Sequence, residues 1–483
     1  MNLSKLGQLA VDVARKQGAS YADFRFEEIR NENIEVSDGK PGQIDRNSSA
    51  GFCVRVLADG AWGFAANAVI GESEVRQAAQ TAVAIAKTSA RINRKKVHLA
   101  DVPTIKDKYS TPFDKDPFKI PLTEKIEYLL SLDAMMRKNE SLNNSGAFMS
   151  FTRTNKLFIS SLGSEIEQTL LQSGAGASCG VIRGHRDRTE RSYPSSSGQY
   201  KTIGYELVDE LKFEENLPRI ADEAVMLSLA KECPSGEFDI VLSSDLLSLQ
   251  IHETIGHPLE LDRVFGSERN FSGTSFAIPV QLGELKYGSD LINVVADTSY
   301  RGGLATWGYD DEGVKARPFK LIENGILVNY LSNRESAYRI GKLPTGAANA
   351  DGWSNPPIVR ITNVLLEPGE SSFDDLISGI DDGIYFDTVE SWSIGDDRST
   401  FQLGSEVGWE IKGGKLGEMI KRPVYSGNTV YFWNSCDAVG DKSQWIIWGT
   451  PNCGKGQPAQ TAQTAQGCSP SRFRRVRVGV EHG

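Results

Sequence analysis

Phe238-Asp239-Ile240-Val241-Leu242-Ser243-Ser244 reads as a strand that stops at a serine pair, followed by the helix that delivers His252-Glu253-Thr254-Ile255-Gly256-His257. Ser243 or Ser244 can cap that helix, which begins at Asp245, because a serine hydroxyl accepts from the unpaired amides of a first helical turn. The chain has five histidines, and two of them flank one glutamate within six positions. Imidazole is a favoured zinc ligand, and a carboxylate beside the metal can take a proton from a bound water. The stretch therefore predicts a metal-activated hydrolase. The bland alternative is a pair of helix histidines satisfied by hydrogen bonds.

The spacing departs from His-Glu-x-x-His, in which i and i+4 lie about 40° apart around a helix. Positions i and i+5 lie about 140° apart on a straight α-helix, too far to chelate one ion. Convergence needs a π-type bulge or unwinding near Gly256. Pro258 favours unwinding, because proline disfavours the α conformation of the residue before it, here His257.

A catalytic zinc site usually has three protein ligands and a water. Nearby candidates for the third ligand are Glu260 and Asp262, and distant ones are the cysteines. Spacing does not choose among them. The cysteines lie at 53, 179, 233, 436, 453 and 468 with no C-x-x-C pair, which argues against a cysteine-only zinc site and a disulfide scaffold. Most should be reduced thiols. Cys453 stands out in Pro451-Asn452-Cys453-Gly454-Lys455-Gly456-Gln457-Pro458, where glycines allow close backbone approach and the lysine could help hold a thiolate.

His252 to Asp262 and Asn452 to Pro458 resemble the two signature regions of the TldD/PmbA family, first described as modulators of DNA gyrase and read as metalloproteases. The resemblance continues through Tyr309 to Val314, Leu321 to Gly325, Pro356 to Asn363 and Ser426 to Thr429, and so spans essentially the C-terminal half. Carried over by position, it implies one zinc per chain held by His252, His257 and Cys453, with Glu253 as the catalytic base. The PmbA (TldE) branch lacks this metal site, so four filled positions imply the TldD branch. Family members pair their subunits, which implies a homodimer or a heterodimer with a PmbA/TldE-type subunit.

Length bounds the rest: 483 residues suggest about three domains, or two larger ones. The 39% apolar and 24% charged content is that of an ordinary globular chain. A formal net charge of −10 offers no basic field for a phosphate backbone, so nucleic acid is not an expected partner. Arg472 to Val478 is the basic exception, and its default reading is a solvent-facing strand whose charges discourage edge pairing. No apolar run could span a bilayer, and Met1 to Gly18 lacks the apolar stretch of a signal peptide, so a cytoplasmic protein is expected.

The N-terminal half repeats a helix-strand-helix order. Leu3 to Lys16 is helical in period; strands follow at Asp23–Val36 and Gly51–Ala58, with turns at Asp38-Gly39 and Asp59-Gly60. A helix starting at Ser73 runs to Thr88, and proline-bearing Arg94 to Phe118 reads as a linker. The order recurs with a helix over 122–137, strands across 146–188 and a helix over 216–231. Beyond Cys233-Pro234-Ser235-Gly236, short strands alternate with Gly/Asn/Asp turns, as at 321–324, 326–331 and 358–366. The expected fold is α+β. It has an N-terminal domain (1–232) of two similar units, about 1–93 and 119–232, joined by the linker and facing a common sheet or each other, and a β-rich, barrel-like catalytic domain (233–483) carrying the metal helix.

Weaker features keep bland readings. Gly174 to Gly180 is a glycine-rich strand or turn, because no amphipathic helix follows to make a dinucleotide loop. His98 and His185 sit among charged residues and should be exposed, and His482 lies next to the end of the sequence. Asp310, Asp311 and Glu312 form an acidic turn before Gly313 by default. Trp445 and Trp448 are core aromatics unless they wall a groove. The expected activity is zinc-dependent hydrolysis of peptide bonds in unfolded or extended chains. The alternatives are a zinc hydrolase of other amides or esters and a non-catalytic, chaperone-like peptide binder.

Overall fold

The computed structural model describes residues 2–184 and 187–479, so His185 and His482 lie outside the described residues. Helix α1 (Leu3–Lys16) buries Leu6, Ala10 and Ala14 as its period requires. Strands β1 (Tyr21–Ser37) and β2 (Lys40–Ala58) form one long hairpin, pairing Tyr21 with Leu57 and Ser37 with Lys40, with one register shift between Ile34 and Val36. Its tip is Asp38-Gly39, both left-handed (φ 51° and 78°), the two-residue turn whose twist matches paired strands. The sequence reading starts the second strand at Gly51. The exposed, polar run from Lys40 carries no alternation, and β1 supplies its ladder.

After β3 (Ala61–Asn67) comes α2 (Glu72–Ala90), capped by Gly71 with no side-chain bond, so Ser73 lies inside the helix and is not its cap. Within the segment read as a linker, β4 (Lys106–Ser110) pairs parallel with a later strand. Next come α3 (Leu122–Met136), β5 (Asn144–Ser160), β6 (Glu165–Arg183), β7 (Asp187–Tyr193), β8 (Gln199–Lys201), α4 (Glu206–Glu210) and α5 (Phe213–Leu229). All eight strands share one sheet, ordered β3-β2-β1-β5-β6-β4, with β7 and β8 also on β6. Helices α1 and α2 cover Phe24, Phe52 and Val54. Helices α3 and α5 cover Met149 and Phe151. Gly174 and Gly176 lie inside β6 as expected; a Cβ on Gly174 would overlap the Tyr200 ring laid across the strand.

The C-terminal half has two further sheets and a short two-stranded one. The first contains β9 (Lys231–Glu232), β10 (Gly236–Leu242), β17 (Asp382–Ile394), β18 (Thr400–Lys412), β19 (Lys415–Lys421), β20 (Val424–Asn428), β21 (Cys436–Val439) and β24 (Ser471–Val478). Pairing of β17 with β18 closes β17-β10-β24-β20-β18 into a barrel. The second runs β13 (Ile326–Leu327), β12 (Pro318–Glu323), β11 (Val294–Asp297), β16 (Asn363–Leu366), β23 (Gln460–Cys468) and β22 (Ile446–Lys455), with β22 at its edge. Strands β14 (Ala348–Asn349) and β15 (Ile358–Val359) pair separately. The mixed α+β fold with a closed C-terminal barrel is thus the observed architecture.

One expectation does not hold. Strand β24 is interior, flanked by β10, β20 and β21, and not an edge. Its Arg472 and Arg474 pair with Asp437, and Arg474 also pairs with Asp239. Asp310, Asp311 and Glu312 do form a turn, with Asp310 accepting from the Glu312 and Val314 amides, but the turn is buried. Asp311 pairs with Arg25 at 3.4 Å and Lys156 at 3.1 Å, and Glu312 with Arg55 at 2.8 Å, stitching the first sheet to the C-terminal half. No helix among the described residues is long and apolar enough to cross a membrane.

Candidate metal centre

Ser243 caps α6 (Ser244–Ile251) by accepting from the Leu246 amide at 3.3 Å. Leu246, Leu247 and Ile251, with Ile255 and Leu259 beyond the helix, are fully buried in the C-terminal core. The opposite face, with Asp245, Ser248, Leu249 and His252, lines a cleft. At His252 the α pattern gives way to a π turn over His252–Gly256, and the His257 amide donates to the His252 carbonyl. The wider turn brings positions i and i+5 onto one face, so the ring centroids of His252 and His257 lie 4.8 Å apart. His257 is itself helical (φ −62°, ψ −43°), so the bulge, and not unwinding enforced by Pro258, closes the gap. Pro258 sits in the 3-10 turn His257–Leu259.

The bulge frees backbone groups, and side chains satisfy them. The Thr254 hydroxyl donates to the Gln250 carbonyl at 2.5 Å and accepts from Trp433 Nε1 at 2.9 Å, while the Tyr287 hydroxyl donates to the Thr254 carbonyl. Gly256 packs closely on Ile361: a Cβ there would lie 2.9 Å from its Cδ1 and 3.2 Å from its Cγ1 and Cγ2.

Cys453 arrives from edge strand β22. Thr450 pairs with Thr464 but Cys453 with Ala462, so one extra residue bulges the strand at Pro451-Asn452 and re-aims the thiol. Arg360 donates to the Cys453 carbonyl from beneath. One ligand atom each from His252, His257 and Cys453 lie within 4.8 Å of one another, and all three residues are buried. Cys453 Sγ is 3.4 Å from His257 Nε2. Burial opposes the thiolate, but the two imidazoles override it and hold the Cys453 pKa well below the ordinary thiol value. Burial likewise opposes a charged His252, and the thiolate overrides it to raise that pKa. Two imidazoles and a thiolate that stabilise one another around a common centre are a donor set suited to zinc.

Glu260 and Asp262 do not join this group. His257 Nδ1 donates to Glu260 Oε2 at 2.8 Å, which directs Nε2 to the centre. Burial raises the Glu260 pKa, but Lys455, His257 and Arg263 together bring it well below the carboxylate range. Lys455 does not hold the thiolate. It is buried against Asp262 (2.7 Å), Glu268 (3.1 Å) and Glu260 (3.3 Å), tying the cysteine strand to the histidine segment from behind.

Glu253 opens into a cleft of about 420 Å³ lined also by His252, His257, Cys453 and Trp448. Its Oε2 accepts from Arg398 Nη1 at 2.5 Å. Burial raises the Glu253 pKa, but the two histidines and Arg398 outweigh it and hold it below the ordinary carboxylate value. Arg398 occupies the turn between β17 and β18 with φ 66°, a left-handed conformation that disfavours a side chain and is often found at functional sites. Sequence reading misses Arg398, Asp245 and Ser195 to Ser197, which also line the cleft. Asp245 alone carries a signal, standing seven residues before His252 on the same helix face. Trp445 packs against Tyr300 away from the cleft, and His98 is exposed and stacks on Tyr338.

Comparison with known proteins bears on this geometry. The chain is 29% identical over 443 residues to a metalloprotease of Methanocaldococcus jannaschii, covering 91% of this chain and 92% of that one. It is 23% identical to a zinc metalloprotease TldD homolog of Saccharolobus solfataricus, covering 96% and 98%. Among solved structures, a protein described as a modulator of DNA gyrase from Thermotoga maritima superposes with a TM-score of 0.76 at 18% identity, over 99% of this chain and 100% of that one. TldE from Thermococcus kodakarensis superposes at 0.74 with 16% identity, over 98% and 100%. Family models for PmbA/TldA metallopeptidase domain 1 and the central domain match residues 22–86 and 115–232. The C-terminal domain model matches 235–479, half of the chain and the half that contains the histidine pair, Glu253 and Cys453. The chain belongs to the PmbA/TldD metallopeptidase family.

Proposed function

We propose that this protein is a zinc-dependent peptidase acting on unfolded or extended polypeptides, with His252, His257 and Cys453 as metal ligands and Glu253 as general base. The observation that carries the reading is the convergence of three buried donor atoms within 4.8 Å beside a carboxylate that opens into a cleft. Zinc bound there would lower the pKa of a water toward neutrality and polarise a carbonyl.

The chain's own residues do the rest. Glu253, one residue from His252, accepts the proton of the attacking water and returns it to the leaving amine. Arg398 fixes the Glu253 carboxylate and keeps it ionised before substrate arrives. Glu260 sets the His257 tautomer so that Nε2 is a lone-pair donor. Residues Thr450, Asn452, Cys453 and Gly454 of edge strand β22 line the cleft, so an extended chain can add to that edge by main-chain hydrogen bonds, independent of its side chains. In this reading residues 1–232 enclose the substrate and 233–483 carry the chemistry. Metal analysis of the purified protein, combined with mass spectrometry of peptide digests, tests it. One zinc per chain and cleavage of unfolded peptides are expected. A protein that purifies without stoichiometric zinc, or that cleaves esters but no peptide, overturns it.

A further inference from the structure

Two carboxylates line the cleft among the described residues, Asp245 and Glu253. Glu253 has Arg398 as its counter-ion, whereas Asp245 has no cation within ion-pair distance among the described residues. Arg191, the cation that acts on it from farther off, is engaged by Glu223, Asp387 and Glu406. Asp245 is buried, accepts from the Val389 amide at 3.1 Å and is hydrogen-bonded by Ser195. Those two bonds tie α6 to β17 and to the β7–β8 loop, and an asparagine would make them equally well. A carboxyl at this place is therefore not explained by the clamp. Its charge is unfavourable while it is buried without a partner, so the group holds its proton until a ligand brings a cation.

The geometry says where that cation would lie relative to the metal centre. Asp245, Leu249 and His252 follow one another at i, i+4 and i+7 on a single face of α6, and all three line the cleft. At 1.5 Å per residue, Asp245 stands about 10 Å from His252 along the helix. An extended peptide covers that distance in about three residues. Resting on the peptidase reading of this cleft, we propose that Asp245 is a subsite for a primary ammonium of the substrate, about three residues from the scissile bond. The ammonium can be the free α-amine of a short peptide or the side chain of a lysine within a longer one.

The test uses the zinc-loaded Glu253→Gln protein, which leaves Asp245 as the single carboxylate of the cleft, and measures peptide binding by calorimetry. Three hexapeptides of otherwise neutral sequence serve as probes: one with a free α-amine, one N-acetylated, and one N-acetylated with a lysine at its third position. The free-amine peptide, the lysine peptide or both should bind roughly thirty-fold tighter than the acetylated neutral one, the effect of desolvating one paired charge. Which of them does so identifies the source of the ammonium. Adding Asp245→Asn should erase the difference and leave the neutral peptide unchanged. Equal affinity for all three peptides, absence of binding included, overturns the subsite without any need for the second variant. An equal loss for all three in Asp245→Asn also overturns it, because that is the signature of a clamp. Failure of the peptidase reading looks different: charge-selective binding would persist while the wild-type zinc protein cleaved none of the probes.

Discussion

Glu253 is a base in this reading and not a ligand, so Glu253→Gln should keep zinc and lose hydrolysis by at least about a hundredfold. Loss of the metal, or retained turnover, would falsify that role. Cys453→Ser replaces a soft donor by a poorly acidic hydroxyl and should sharply lower zinc occupancy. Glu260→Gln keeps an amide oxygen for His257 Nδ1 but removes the charge that holds it against Lys455 and Arg263, so it should weaken zinc about 10- to 100-fold. If Cys453 proves dispensable and Glu260 indispensable, the ligand set is wrong. Asp245 gives a pH signature. Burial, together with Asp387, lifts its carboxyl from 3.8 to about 7 against the lowering effects of Ser195, the Val389 amide and Arg191. Between those limits the unfolded chain has released the proton and the folded one has not. Stability therefore falls from about pH 4 to about pH 7 and is level above. Asp245→Asn has no such slope and should be more stable than wild type at pH 8, by up to about 4 kcal/mol, with the difference closing near pH 4. Parallel denaturation curves across that range would exclude it. The histidine pair and Glu253 stand out in the sequence because metal chemistry restricts residue type and spacing, whereas Cys453 is singled out from the other candidates only by the family resemblance. Arg398 is not, since Gly395-Asp396-Asp397-Arg398 is an ordinary polar turn 145 residues from the carboxylate it meets.

At the scale of single elements, two local irregularities build the centre, a π turn in the helix and a bulge in the edge strand. The need for the first is legible, because an i,i+5 pair cannot chelate from a straight α-helix. Its means is not, because the groups that hold it, Trp433, Tyr287 and Ile361, come from distant segments. The proline rule points the wrong way here: His257 stays helical since its amide is engaged by His252 and its side chain by Glu260. Thr254→Val would remove the acceptor of Trp433 Nε1 and Gln250 Nε2 and the donor to the Gln250 carbonyl, at a loss of about 1–3 kcal/mol. Gly256→Ala would press a methyl into Ile361, with a loss of similar size. Both should weaken zinc while leaving every ligand in place. Chelator competition alongside thermal unfolding checks this, and a variant destabilised to that degree with unchanged zinc affinity would show that the turn does not set the ligand geometry.

For the whole molecule, the first sheet is more than a spacer. The buried pairs Arg25–Asp311, Lys156–Asp311, Arg55–Glu312 and Arg191–Glu406 fasten it to the C-terminal half, and its Ser195 to Ser197 loop forms part of the cleft wall. The helix-strand-helix repeat is legible from periodicity, but the merging of its strands into one sheet through β1 and β5 is a tertiary choice that no local pattern encodes. An edge strand at the bottom of a walled cleft can accept an extended chain but not a folded domain, whose backbone is already paired. The paired subunits implied by the family would narrow the entrance further. The active form should therefore scatter light as a particle of about twice the 52.9 kDa chain mass. It should cleave a reduced, unfolded polypeptide while leaving the same protein intact in its native state. An active monomer would remove the second subunit from this account. Rapid digestion of a stable folded protein would show that the cleft walls do not restrict access, and neither result would bear on the zinc ligands.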